Sequence, residues 1–463
     1  MIIQNNLNYG VHFMNLKMKK KNDEYSRMLS FFMSLLILVS LTVAFIYVWA
    51  DINEDIVLAF YKKGHIVIAI LYFILQYLFS RIYGALKIGF YKVSDIVYSQ
   101  MLTTLIVDFI MYLVMSLVAR QMLSLAPMLL LLIIQLIIVI AWAYIGTFIY
   151  KKVYPPYRLI VVYGSKSATN LVKKMCVRED QFQICEAIKL EEGMERIEER
   201  ILEYDGAIIC DIPGSDRNDI LKYCFDNNKR VYVTPKISDI LIRGGENIHL
   251  FDTPLLLCRN NGFTFEQRIL KRVLDIIVAL VGLIVTGPFM LITALAIKLQ
   301  DGGPVFYKQK RVTLNGKEFD IIKFRSMIVD AEADGKSHPA TDDDDRITPV
   351  GKFIRAIRFD EMPQIFNILK GDMSVVGPRP ERVEHVEQYT NEIPEFQYRL
   401  KVKAGLTGYA QIYGKYNTTA YDKLKLDLFY IENYSLRTDI QLIFMTIKVL
   451  FMKESTEGFD EQK

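Results

Sequence analysis

The sequence predicts a three-part chain: a membrane α-helical bundle of four spans, a small parallel α/β module, and an α+β domain entered through a re-entrant membrane helix. Three observations lead there. Uncharged apolar runs crowd the first third. The composition is 52% hydrophobic yet 23% charged, the mixture expected of a membrane part joined to water-exposed parts. One further apolar run, far from the others, is interrupted at its centre by Gly287-Pro288.

In chain order, residues 1–27 read as a cytoplasmic tail and 28–152 as four transmembrane helices. Residues 28–50 are uncharged and long enough to span a bilayer. Lys17 to Lys21 precede them, so the positive-inside rule leaves the N-terminus in the cytoplasm. The run is too long for a simple signal peptide and lacks a small-residue cleavage site. Residues 66–80, 96–119 and 128–150 follow. Basic residues after the second (Arg81, Lys87, Lys92) and fourth (Lys151, Lys152) spans return the chain to the cytoplasm. Asp108 interrupts the third span. An intramembrane carboxylate suggests function, but an inter-helix hydrogen bond to Gln76 or Gln135 is the favoured reading.

Residues 157–255 change in texture. Arg158 to Gly164, Asp205 to Cys210 and Arg230 to Thr234 read as buried strands, with a helix starting near Ser167. Strands alternating with helices imply a small parallel, Rossmann-like sheet. The turn at Gly164 to Thr169 lacks the full G-x-G-x-x-G of a dinucleotide site, so a regulatory or assembly role is expected.

Asn260-Asn261-Gly262 reads as a linker into the last domain, 262–463. Its first element, about 272–298, is a membrane helix with Gly287 and Pro288 at mid-length. Proline removes a backbone donor and should bend the helix there. Lys271-Arg272 and Lys298 make both flanks basic, which favours re-entry over a fifth crossing.

Composition narrows the chemistry. A net charge of +4 is too mild to argue for nucleic acid. Five cysteines show no framework and no paired metal spacing, as in a reduced compartment. Five histidines form no ligand-like cluster, which disfavours zinc.

After Lys298 the sequence is rich in residue types that bind phosphate. Residues 301–311 turn tightly and end on Lys308, Lys310 and Arg311. Phe319 to Arg325 alternates, so Lys323 and Arg325 should share a strand face, with a solvated edge equally open. Asp342 to Asp345 run into Arg346. Residues 351–358 form an amphipathic basic helix suited to anionic headgroups or pyrophosphate. Asp360 reads as the N-cap of a helix ending at Gly371. Asp360 and Glu361, about 100° apart on a helix, should have different jobs. Pro378 and Pro380 stiffen the backbone around Arg379, whose planar fork matches phosphate.

Residues from about 271 to 451 closely resemble the bacterial sugar transferase family, the monotopic polyisoprenyl-phosphate hexose-1-phosphate transferases. The motifs that carry this are Lys271-Arg272-x-x-Asp275, Gly303-Pro304-Val305-Phe306-Tyr307-Lys308-Gln309-x-Arg311, Lys323-Phe324-Arg325-Ser326-Met327 and Asp345-Arg346-Ile347-Thr348. They continue with Asp360-Glu361-x-Pro363-Gln364-x-x-Asn367, Gly371-Asp372-Met373-Ser374-Val375-Val376-Gly377-Pro378-Arg379-Pro380-Glu381 and Gly405-Leu406-Thr407-Gly408-x-Ala410-Gln411. The preceding spans and α/β module look like the long form of the family, which initiates exopolysaccharide, capsule or O-antigen synthesis. The resemblance implies transfer of a sugar-1-phosphate from a UDP-sugar to polyprenyl (undecaprenyl) phosphate, with release of UMP. It implies Asp360 as the nucleophile of a covalent phosphosugar intermediate, and Glu361 as a holder of Mg²⁺ or the lipid phosphate. Asp360 and Glu361 are together the metal candidates. Arg379, Lys323, Arg325, Arg311 and Arg346 are the phosphate-binding candidates. Ala404, Tyr409 and Ile412-Tyr413-Gly414-Lys415 depart from the family pattern and leave the sugar open.

The expected partners are a UDP-sugar, a polyprenyl phosphate and the inner membrane of a bacterium, with the catalytic domain cytoplasmic and a homodimer left open. A membrane nucleotide-sugar dehydratase or epimerase would need the missing dinucleotide fingerprint. A non-catalytic assembly scaffold would not need Asp360, Glu361 and Arg379 together.

Overall fold

The computed structural model describes residues 25–49, 62–164, 168–259, 262–329, 331, 344–414 and 418–450. The expected tail up to residue 24, the lysines at 17–21, and Ala50, Ser167, Asn260, Asn261, Asp342, Asp343 and Lys415 lie outside the described residues. The chain divides into two compact units, Met1–Thr234 and Pro235–Lys463.

The first unit opens with four helices long and apolar enough to cross a membrane: α1 Tyr25–Trp49, α2 Lys62–Tyr83, α3 Val93–Ala119 and α4 Ala126–Val153. Their shared core includes Leu41, Phe45, Tyr72, Met111 and Val139. Phe45 stacks on Tyr72 with ring centroids 4.2 Å apart. The outward faces carry exposed Leu, Ile and Phe, as lipid contact requires. Asp108 is buried and is used between helices. Its Oδ1 accepts from Tyr72 Oη at 3.1 Å and from Gln135 Nε2 at 3.3 Å. Of the two expected partners it is Gln135 that bonds. Gln76 lies one turn from Tyr72, and its amide makes no hydrogen bond.

The same unit continues with a parallel sheet in the order β2-β1-β3-β4, from Phe182–Lys189, Tyr157–Tyr163, Gly206–Cys210 and Arg230–Val233. Helices α5 Ala168–Cys176, α6 Met194–Leu202 and α7 Gly214–Asp226 connect the strands. Three strands were expected and four are present. β2 lacks a buried run because its burial alternates, as at an edge half open to water.

The boundary at 255 also shifts. The sheet ends at Val233, and α8 Ile237–Arg243 buries Ile237 and Ile240 with Leu424 and Leu428 of the second unit. Next comes an antiparallel hairpin, β5 Glu246–Leu250 and β6 Thr253–Leu257.

Helix α9, Phe265–Asp301, is longer than the expected 272–298. A capping box starts it: Gln267 N donates to Thr264 Oγ1 and Thr264 N donates to Gln267 Oε1. Gly302 ends it at φ +70°, a conformation glycine adopts without strain. The chain stays helical through Gly287 and Pro288. Its 37 residues would measure about 55 Å, against about 30 Å of hydrocarbon. One seam of α9 packs along the second unit for most of this length. Ala279 joins the core around Ile365 and Val375, whereas Met290 and Ile297 join a smaller core with Phe324 and Ile354.

An antiparallel hairpin follows, β7 Phe306–Val312 and β8 Glu318–Phe324, with Tyr307 opposite Lys323. Then come α10 Pro349–Ala356, a 3₁₀ turn Phe359–Glu361 and α11 Gln364–Lys370. The parallel pair β9 Ser374–Val376 and β10 Gly405–Thr407 brackets α12 Val383–Glu392 and a 3₁₀ segment Pro394–Lys401. Helices α13 Tyr409–Tyr413, α14 Ala420–Glu432 and α15 Leu436–Leu450 complete the unit.

Candidate active site

Asn367 holds the site in register. Its Oδ1 accepts from Ile322 N at 3.0 Å, and its Nδ2 donates to Asp320 O at 2.8 Å. An amide so used replaces a missing strand partner and ties α11 to β8. Lys323 is the next residue along, so this clamp sets its position. Arg272 fixes the other end of α11 by donating to the Ile368 and Leu369 carbonyls at 2.6 and 2.7 Å. Gly371, at φ +94°, stops the helix where expected.

Between α10 and α11 the chain turns sharply. Arg358 adopts a left-handed conformation at φ +54°, and the 3₁₀ turn behind it carries Asp360 and Glu361. Asp360 therefore does not cap α11. That helix starts after Pro363 and has no side-chain cap, because the turn and Met362 intervene.

Glu361 lies at the centre of the cluster. Its Oε1 accepts from Lys323 Nζ at 2.7 Å and from Arg379 Nη2 at 3.0 Å. Burial pushes its carboxyl up, but Arg379 and Lys323 more than offset this and hold it well below the usual range. Asp360 goes the other way. Burial raises it, Lys323 pulls it back and the Glu361 charge raises it further, for a net shift upward. The neighbouring carboxyls thus sit in opposite electrostatic surroundings.

A narrow cleft opens beside Glu361, lined by Arg311, Lys323, Glu361, Gln364, Arg379 and Leu406 among others. Arg311 reaches it from β7, its Nη1 donating to Pro380 O at 3.2 Å. Burial lowers Arg311 to about 10; Arg379 and Arg382 push the same way and Glu381 opposes. Arg379, Lys323 and Arg311 thus surround one space, and their surplus positive charge suits a phosphate or diphosphate.

The other two candidate cations go elsewhere. Arg325 lies just past β8 and is 7% exposed; it pairs in a fork with Asp301, Nη1 to Oδ2 at 2.8 Å. It ties the end of α9 to the hairpin and lines no part of the cavity. Arg346 is bound to Asp344 at 2.6 Å and to the Ala331 carbonyl, also away from the cavity. Strand alternation could not separate Lys323 from Arg325, because β8 ends at Phe324.

Lys271, read from sequence as a basic membrane flank, is instead turned into the fold. It is buried against Asp439 at 2.7 Å and Tyr430 Oη at 3.0 Å. Asp275 accepts from Ser374 Oγ at 2.9 Å and Val375 N at 2.8 Å. The first matching motif is thus a staple between α9 and the core. Tyr409 packs on Phe429 and Tyr413, and Ala404 donates its N–H to Thr313 Oγ1 at 3.0 Å. Two residues with no sequence signal matter here. Arg399 and Asp427 pair behind the Arg379 turn, and no local pattern in Tyr398-Arg399-Leu400 announces this.

For Mg²⁺ the site offers two adjacent carboxyls, and Glu361 is already paired with Lys323 and Arg379. Asp360 and Glu361 offer hard oxygen donors. Among the described residues no group of three or more His, Cys, Asp or Glu could hold a metal alone.

Apolar helices and a cleft ringed by cations define a membrane-associated protein with a site suited to an anion. The model for the bacterial sugar transferase family matches residues 266–453. An uncharacterized sugar transferase, EpsL, of Bacillus subtilis is 37% identical over 189 residues, which are 41% of this chain and 91% of that protein. The chain belongs to the bacterial sugar transferase family. An Aeromonas hydrophila UDP-N-acetylgalactosamine-undecaprenyl-phosphate N-acetylgalactosaminephosphotransferase is 45% identical over 184 residues, 39% of this chain and 43% of that one. A Klebsiella pneumoniae UDP-glucose:undecaprenyl-phosphate glucose-1-phosphate transferase is 43% identical over 219 residues, 46% and 45% of the two chains. The chain thus spans under half the length of these two relatives.

Proposed function

We propose that this protein transfers a sugar-1-phosphate from a UDP-sugar to polyprenyl phosphate, releasing UMP, in the first membrane step of exopolysaccharide, capsule or O-antigen synthesis. The observation that carries this reading is the contrast between two adjacent carboxyls. Glu361 is charge-paired, held ionised, and lines a cleft with Lys323, Arg379 and Arg311, whereas its neighbour Asp360 is held more basic. A basic, ionised carboxylate is a competent nucleophile toward phosphorus.

In the first step an Asp360 oxygen bonds to the sugar-linked phosphorus. The bond from that phosphorus to the bridging oxygen breaks, and UMP leaves with the electron pair. In the second step a polyprenyl phosphate oxygen attacks the same phosphorus and Asp360 is released as carboxylate. Arg379 and Lys323 neutralise the charge that gathers on the equatorial oxygens. Glu361 keeps both cations in place. Mg²⁺, held by Asp360, Glu361 and the donor phosphates, would supply further charge neutralisation.

The active site faces the cytoplasm in this reading, at the bacterial inner membrane. Its support is α9: the same unit grips the helix at Lys271 and Asp275 and again at Ile297 and Asp301. A helix held at both ends by one fold has both ends on the side of the membrane where that fold lies.

The test is incubation of membranes with radiolabelled UDP-sugars and undecaprenyl phosphate, using wild type and Asp360→Asn. Labelled lipid and UMP form with wild type only, and donor alone leaves a phosphosugar adduct on residue 360 by mass spectrometry. UMP release that survives the substitution would defeat the nucleophile.

A further inference from the structure

Arg379 is aimed by a residue that lies outside its cavity. Pro378 and Pro380 restrict two φ angles, but the turn still needs an anchor to the rest of the fold. Arg399 is that anchor. Its side chain is 4% exposed, and Nη2 donates to the carbonyl oxygen of Arg379 at 2.9 Å. Nε donates to Asp427 Oδ2 at 2.9 Å, and Nη1 lies 3.8 Å from Glu381 Oε1. One guanidinium therefore holds the turn at 379 and at 381.

Asp427 is 1% exposed on α14, which Leu424 and Leu428 fix in the core. The Phe396 ring lies 4.9 Å below the Arg399 guanidinium and restricts it further. Arg399 lines a second small cleft, and Arg379 lines both. The Arg399–Asp427 pair thus sits behind Arg379, away from Glu361. Buried ion pairs contribute little net stability beside an apolar replacement, which makes a directional role the more informative reading.

We propose that Arg399, held by Asp427, is a positioning residue for Arg379, fixing the Pro378-Arg379-Pro380 turn so that its guanidinium stays against Glu361. The kinetic consequence rests on the sugar-phosphate transfer reading; the structural consequence does not.

The test uses the full chain in lipid nanodiscs with Arg399→Lys, Arg379→Gln and the double variant. Lysine keeps a charge for Asp427 but cannot reach Asp427 and the Arg379 carbonyl together. Pyrophosphate binding by calorimetry should weaken about tenfold in Arg399→Lys, and the double variant should bind no more weakly than Arg379→Gln alone. Hydrogen exchange should quicken at amides 377–382 with the α14 amides unchanged. UMP release should fall in kcat/KM, with KM rising by about the loss in pyrophosphate binding and kcat falling further. Asp427→Asn, which leaves Arg399 in place, should move each readout the same way and less. Losses that multiply in the double variant, or exchange in the turn that stays at the wild-type rate, would overturn the proposal. Pyrophosphate binding without transfer from any UDP-sugar would defeat the functional reading, and the binding and exchange measurements would still decide this one.

Discussion

Two clusters of paired charge in the second unit are arranged in opposite ways. At the start of α9, Lys271 and Asp439 are 7% and 1% exposed and pair at 2.7 Å, with Tyr430 bonded to both. This cluster lines neither of the two cavities at the site. Around Glu361, side-chain exposure rises from 15% through 20% at Lys323 to 46% at Arg379, and the group borders a cavity. The first cluster has matched its charges. The second has three cations around the Asp360-Glu361 pair and an open side. A buried ion pair is therefore a poor sign of function by itself; an unmatched one beside a cavity is a better one.

The largest effect that could break this contrast is on chemistry. Asp360→Asn should cut transfer by about a thousandfold or more, with the unfolding midpoint within a few degrees of wild type. Among the described residues its side chain makes no ion pair that joins two elements, unlike Lys271. A variant equally inactive but unfolded would place Asp360 with the first cluster.

Lys271→Met should show the reverse. It leaves Asp439 charged and buried, at a cost of about 3–5 kcal/mol. Yield and midpoint should drop, while UMP release per folded molecule stays within about twofold of wild type. Chemical denaturation paired with active-site titration measures both. Normal stability with lost turnover would move Lys271 into the site.

A third substitution lies between the clusters. Asn367→Ala removes both bonds between α11 and β8 and leaves Ile322 N–H without its partner. The expected cost is about 1–3 kcal/mol. Because Lys323 follows Ile322, kcat should fall as well. A stability loss with kcat unchanged would show that Lys323 is placed by Glu361 alone.

These contrasts also explain what the sequence could reveal. Membrane helices and buried strands carry one-dimensional signals, and α1 to α4, β1, β3 and β4 follow them. β2 does not, because an edge strand alternates with charge. The Asp360-Glu361 pair and the Pro378-Arg379-Pro380 turn are local, so their residues stood out. Arg325 and Lys323 look alike in sequence, since nothing local shows that Asp301 captures one of them. Lys271 looked like a membrane flank because its partner Asp439 lies 168 residues away. Partners of that separation carry no periodic trace, and Arg399 with Asp427 was missed for the same reason.

The smallest expected effect is the sharpest probe of the open cluster. Asp360 must be ionised to attack, and burial holds its carboxyl above the ordinary aspartate value of about 3.9. Lys323 opposes that shift and Glu361 adds to it. Lys323→Met should therefore move the acid limb of UMP release to higher pH. Stability follows two opposite signs. Glu361 has a depressed folded value, so its contribution is present above its unfolded value and lost as pH falls through the folded one. Asp360 has a raised folded value, so its contribution is present below its unfolded value and lost as pH rises through the folded one. Removing Lys323 weakens the hold on Glu361 and should make the protein less acid-stable while its rate profile shifts toward base. An acid limb that stays in place, with only the plateau lowered, would mean that Lys323 binds the donor and leaves the nucleophile untuned.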